Sequence, residues 1–127
     1  MRKHLYTDEE IKILSDNAFI LDIKGKSSIE YDPLFKLWAV ILKIKCPYLT
    51  SKDIFELGGF DTSILNPRLP QRRIHDWHVN FNRYGIDYFT CDNPYFNISN
   101  IDIDDFLDTS EFLFLKRYIE SKQKHNR

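Results

Sequence analysis

A chain of 127 residues is long enough for one domain, with at most an appendage. Its content of 43% hydrophobic and 15% aromatic residues can build a core, which excludes global disorder. The formal net charge is -1, so there is no whole-chain basic excess, and any argument for nucleic acid has to rest on local patches. Thr7-Asp8-Glu9-Glu10 is a capping-box sequence that opens a short helix, with Ile11 and Leu14 facing inward and an end near Asn17. Residues 19–23 are apolar and partly β-branched. They predict a short strand, with Gly25-Lys26 as the turn and residues 28–31 as the returning partner. A lone hairpin is marginal in water, so this one requires helices to support it. Asp32-Pro33 signals a helix start. From there to Lys45, Leu34, Leu37, Trp38, Ile41 and Leu42 form a broad apolar stripe, and Pro47 ends the helix. This is the expected central core helix.

The stretch from Thr50 to Gly85 reads as a short helix, a Gly-Gly turn, a connecting loop and a longer helix. Thr50 can cap the first of these, with Asp53 in the acidic third position, and Ile54 and Leu57 are expected to face a core. Gly58 and Gly59 stop the helix where a positive φ costs least. Phe60 then returns to the core, and Asp61 can cap a brief turn before Pro67. The second helix is expected over residues 70–84, opened by Pro70 and stopped by Gly85. Ile74, Trp77, Phe81 and Tyr84 recur at three- and four-residue steps and share one face. The opposite face carries Arg72, His75, Asp76, Val79, Asn82 and Arg83, with Arg73, His78 and Asn80 on its flanks. Such a face suits nucleic acid: Arg for phosphate or guanine, Asn for adenine, His for either. Two helices joined in this way, the second polar outside and aromatic inside, form the pattern of a helix-turn-helix. An ordinary amphipathic helix with a solvated polar face gives the same pattern.

The words IFELGGFD and RRIHDWHVNFNRYG resemble the helix-turn-helix domain of small insertion-element proteins, the first-reading-frame partners of transposases. That family has an IFxxxGFD-type motif, a variable loop, and a basic helix with a Trp near its middle. The opening YTDEEIKILSDNAFILDIKGKSSIEYDPLFKLWAV is also similar: a short helix, an extended piece, then a helix beginning near Phe35-Lys36. The resemblance covers roughly the first two-thirds of the chain. It implies duplex DNA as a partner, and a separate catalytic transposase subunit as a further one. Family members commonly continue into a heptad coiled coil. No heptad repeat is sustained here, so self-association of that kind is not carried over and the oligomeric state stays open.

Beyond Gly85 the composition changes. Residues 86–111 hold no Lys or Arg, and carry Asp87, Asp92, Asp102, Asp104, Asp105, Asp108 and Glu111 among Tyr88, Phe89, Tyr95, Phe96 and Phe106. Asn93-Pro94 is a turn signal. Ile98, Ile101 and Ile103 suit extended pieces or a loop. A final helix is expected from Asp108 or Thr109, with Phe112, Leu115 and Ile119 as its stripe, and the tail from Lys116 onward is basic. The aromatic content predicts that this segment folds back over the core; the other reading makes it a docking surface.

Asp102, Asp104 and Asp105 lack the internal Gly and terminal Glu of a calcium loop. The chain is too short for a helix-turn-helix together with the large α/β domain of a transposase nuclease. His75 and His78 lie one turn apart without an HExxH pattern or a third ligand. No phosphate-binding Gly loop or nucleophile elbow is present. The chain is therefore expected to be no enzyme and to use no metal or cofactor. Cys46 and Cys91 are isolated and suit reduced thiols. No apolar run has the length of a membrane span, and the first ten residues lack a secretory signal core, so a cytoplasmic protein without a membrane partner is expected.

The expected fold is mainly α: a helix-turn-helix bundle (residues 1–85) with a small β-hairpin, and an acidic aromatic segment with a C-terminal helix (86–127) packed on it. The expected function is DNA binding through residues 70–84. Arg72 is the candidate for base contact and His75 for base or phosphate. Asn80 or Asn82 suits adenine or phosphate, while Arg73 and Arg83 would clamp the backbone. A positive stripe joining Arg72, Arg73 and Arg83 to Lys52 or Lys43 would suit this, whereas a broken or acidic face would suit docking of a protein partner. The reading from another class is a protein-interaction module that docks a partner through residues 86–111.

Overall fold

The computed structural model of the chain describes residues 5–91, 93–96 and 101–125. Among them the element order is α1 (Asp8–Ser15), β1 (Ile20–Lys24), β2 (Ser28–Tyr31), α2 (Pro33–Lys45), α3 (Ser51–Leu57), α4 (Leu69–Tyr84), α5 (Asp87–Thr90), α6 (Ile103–Phe106) and α7 (Ser110–His125). The fold is mainly helical with a small antiparallel hairpin, as expected. Asp92 and Ile98 lie outside the described residues. No helix among the described residues is long and apolar enough to cross a membrane.

Local chemistry accounts for most boundaries. Thr7 and Glu10 form a reciprocal capping box at α1, with Thr7 Oγ1 accepting from the Glu10 N–H at 3.1 Å and Glu10 Oε1 accepting from the Thr7 N–H at 2.9 Å. Thr50 and Asp53 repeat the device at α3. Asp32 caps α2 through the Leu34 N–H at 2.9 Å, with Pro33 in the first helical position. The helix therefore opens at Pro33, near the Phe35-Lys36 pair as the resemblance implied. β1 and β2 pair Ile20 with Tyr31 and Ile23 with Ile29, and the turn between them uses left-handed Gly25 (φ 59°) and Lys26 (φ 58°).

α2 is the centre of the molecule, packed by α3, α4, α5 and α7. Phe35, Ala39 and Val40 are buried along with Leu34, Leu37 and Ile41, so its covered surface is wider than a single stripe. A helix surrounded on several sides is apolar on several sides. The segment after Gly85 does fold back: Phe89, Phe96, Phe106, Leu115 and Ile119 belong to the same core cluster as Phe35 and Trp77. Ile103 lies in α6 and not in an extended piece. α7 starts beside Thr109, whose Oγ1 accepts from the Phe112 N–H at 3.1 Å. Side-chain bonds tie the fold-back down. Tyr118 donates to Asp32, Lys45 pairs with Asp104, and Gln123 Nε2 donates to the Leu57 carbonyl at 2.7 Å.

Three packing expectations are corrected. Leu57 is 48% exposed, and Phe55 takes the core position beside Ile54. Centring the buried face between these two adjacent residues turns Leu57 outward, and Phe55 gains a stacked contact with Trp77, centroids 5.9 Å apart. Tyr84 is 53% exposed and stacks on Tyr88 at 5.2 Å. The chain reverses at Gly85 (φ 78°), so Ile86 and Phe89 fill the core at that end. Gly58 has an ordinary φ of -78°; only Gly59, at 84°, uses the left-handed region.

Candidate nucleic-acid interface

α4 owes its two faces to its sequence periodicity. Pro70, Ile74 and Trp77 are buried and Phe81 is half-buried. Trp77 is 5% exposed and sits against Tyr31, Phe35 and Phe55, with ring centroids 5.1, 6.0 and 5.9 Å away. Arg72, His75, Asp76, Val79, Asn82 and Arg83 are exposed, as the spacing predicts, and Arg73, His78 and Asn80 are half-buried on the edges. Helices α3 and α4 pack on each other and on α2. Residues 58–68 join them, a longer connection than the three- or four-residue turn of a compact helix-turn-helix.

The two edges of α4 differ. On one, residues from α4 and the segment before it face the α2–α3 connection across an open groove of about 870 Å³. Lys43, Lys52, Arg68, Arg72, His75 and His78 line it, over a floor that includes Leu49, Pro70 and Ile74. The lining contains no carboxylate among the described residues. Two acids of α3, Asp53 and Glu56, follow the groove residue Lys52 in the chain. Asp53 caps α3, and the Thr50 N–H, then its hydroxyl, hold that carboxyl below its usual range. Glu56 lies 3.9 Å from Lys52 in a solvent-exposed pair, of the kind that adds little to stability. Lys43 Nζ donates to the Leu49 carbonyl at 3.2 Å, pinning the connection while keeping a cation on the groove wall. Tyr48, at the rim, is 80% exposed, and the neighbouring Cys46 side chain raises its phenol above the usual value.

The other edge faces inward. Arg73 pairs with Asp76 at 3.6 Å, and its Nε is buried with no hydrogen-bond partner among the described residues. Its charge acts on buried neighbours. Burial pushes the Tyr31 phenol well up, Tyr6 adds to this, and Arg73 pulls it back down. Burial lowers Lys36, whose Nζ stands 6.0 Å from the Trp77 ring, against the opposing pull of Glu30.

Of the residues singled out from sequence, the structure therefore brings Arg72 and His75 together with His78, Lys43 and Lys52. Arg73, Asn80, Asn82 and Arg83 do not line the groove. Arg83 stands at the far end of α4, its guanidinium 5.9 Å from the Tyr84 ring. Arg68 and Tyr48 were not singled out from sequence. Arg68 had a signal, since it lies one helical turn before Arg72. Tyr48 had a weaker one, an aromatic between a proline and a capping threonine. No family model, curated protein or solved structure matches the chain.

Proposed function

We propose that this protein is a DNA-binding helical module, similar to the helix-turn-helix component of an insertion element, that holds duplex DNA with the exposed face of α4. It would present DNA to a separate catalytic subunit and carry no active site or cofactor of its own. The observation that carries this reading is the groove, where cationic or ionisable nitrogen groups from α2, α3 and α4 converge without a carboxylate in the lining. A chain of net charge -1 concentrates positive charge there, and local concentration is what phosphate binding requires. Arg72 and His75 also lie in the N-terminal half of α4, the half that approaches base edges when a helix enters the major groove. Arg83 and Asn82 would meet the backbone about two to three turns further on.

The docking-module reading has less support, because Phe89, Phe96 and Phe106 of the acidic segment lie in the core. The test is binding to random-sequence duplex DNA over a range of salt. Removing Arg72 and Lys52 together should lower the slope of log affinity against log salt by about two units. No binding at low salt, or a slope that the double substitution leaves unchanged, rejects the proposal.

A further inference from the structure

Resting on the reading that this groove binds nucleic acid, we infer that it takes an unpaired nucleotide of a DNA strand, with Tyr48 as the surface on which the base stacks. An α-helix reads duplex DNA by standing out into the major groove. The exposed face of α4 can do so, while the edge beside the N-terminal half of that face is one wall of a concavity whose other wall is the α2–α3 connection. A volume of about 870 Å³ lies in the range of sites that enclose one small molecule. The chemistry is layered to suit a nucleotide. Pro70 and Ile74 offer an apolar floor, Lys52 and Arg72 offer charge for phosphate, and His78 can hydrogen-bond a base edge.

Tyr48 completes the set. A phenol 80% exposed on the rim of a cationic groove has no packing role in the fold. Aromatic rings beside basic grooves are the means by which single strands are held without a duplex to read, because every base has a face to stack. The site therefore prefers a strand end or a locally opened duplex, while the rest of the exposed α4 face meets the paired region.

Fluorescence anisotropy with three labelled probes of one sequence tests this: the single strand, the blunt duplex, and the duplex with a short single-stranded overhang. The single strand and the overhang should bind more tightly than the blunt duplex at equal salt. Tyr48→Ala should weaken both by about tenfold and leave the blunt duplex unchanged, while Tyr48→Phe keeps the parent affinity. Circular dichroism of Tyr48→Ala should match the parent, since the ring is exposed. A blunt duplex that binds as well as the single strand, or a Tyr48→Ala variant that affects all probes alike or none, overturns the inference but leaves duplex binding standing. Failure of all three probes to bind at low salt removes both readings.

Discussion

The ring of Phe35 occupies the space that a side chain on Gly58 would need: a Cβ built there would lie 2.5 Å from Phe35 Cε1. Phe35 is fully buried and packed against Phe19, Phe55, Phe60 and Trp77, so it has no room to withdraw. The Gly58 carbonyl also accepts from Asn17 Nδ2 at 3.0 Å, which ties the end of α3 to the segment before the hairpin. The glycine is therefore a packing requirement of the α2–α3 contact, and the backbone turn falls to Gly59.

Gly58→Ala should destabilise the protein by about 1–3 kcal/mol through overpacking. Chemical denaturation of Gly58→Ala and of the double variant Gly58→Ala with Phe35→Leu separates this from a backbone effect. The smaller residue at position 35 should recover part of the loss. If Phe35→Leu only adds to the loss, the cause lies in the backbone and not in the ring.

Trp77→Ala should cost about 3–5 kcal/mol, because it removes the largest side chain of an aromatic cluster formed with Tyr31, Phe35 and Phe55. That is a large share of the stability of a domain of this size. Thermal unfolding followed by far-ultraviolet circular dichroism measures it. A variant as stable as the parent would contradict the packing of α4 on α2.

Arg72 and Arg73, adjacent in sequence, should separate by function. Arg72→Ala should lower the salt slope of DNA binding by about one unit with little change in stability. Arg73→Ala should leave that slope near the parent value and lower stability by about 1 kcal/mol, since its guanidinium is partly buried and paired with Asp76. The two variants, measured side by side for binding and for urea unfolding, give opposite patterns if the edges of α4 are assigned correctly.

Stability should decline in alkali. Burial raises the Tyr118 phenol, and its hydrogen bond to Asp32 and the charge of that carboxylate raise it further. Burial raises Tyr31 in the same direction. A phenol raised on folding keeps its proton in the folded chain after the unfolded chain has released its own. The stabilisation is therefore complete below about pH 10 and is lost progressively above it. Urea midpoints measured from about pH 8 to about pH 11 should fall at the upper end, and less steeply for Tyr118→Phe. Equal declines in parent and variant would show that Tyr118 does not contribute to the effect.

Most elements were legible in sequence because their signals are local. The capping boxes at Thr7 and Thr50, the Asp32-Pro33 start and the Gly85 stop each act within a few residues, and each element lies where they put it. The exposed face of α4 was legible for the same reason, since periodicity separates Arg72 and His75 from Ile74 and Trp77. Periodicity could not separate the two edges of that face. Arg73 and His78 look alike in sequence as flank residues. They differ because one edge meets Tyr31 and Lys36 while the other meets the α2–α3 connection. Leu57 against Phe55, and Tyr84 against Ile86, were likewise decided by which neighbour fills the shared core, a competition between residues that no local pattern encodes. The sequence by itself determined helices α1 to α4 and α7, the hairpin, the caps and the polar face of α4, all set by interactions within a turn or two of chain, but not the short helices α5 and α6. Only the tertiary structure decided that Lys43, Lys52, Arg68 and Arg72 share one groove, because they reach it from separate segments whose mutual placement depends on how α3 and α4 pack against α2.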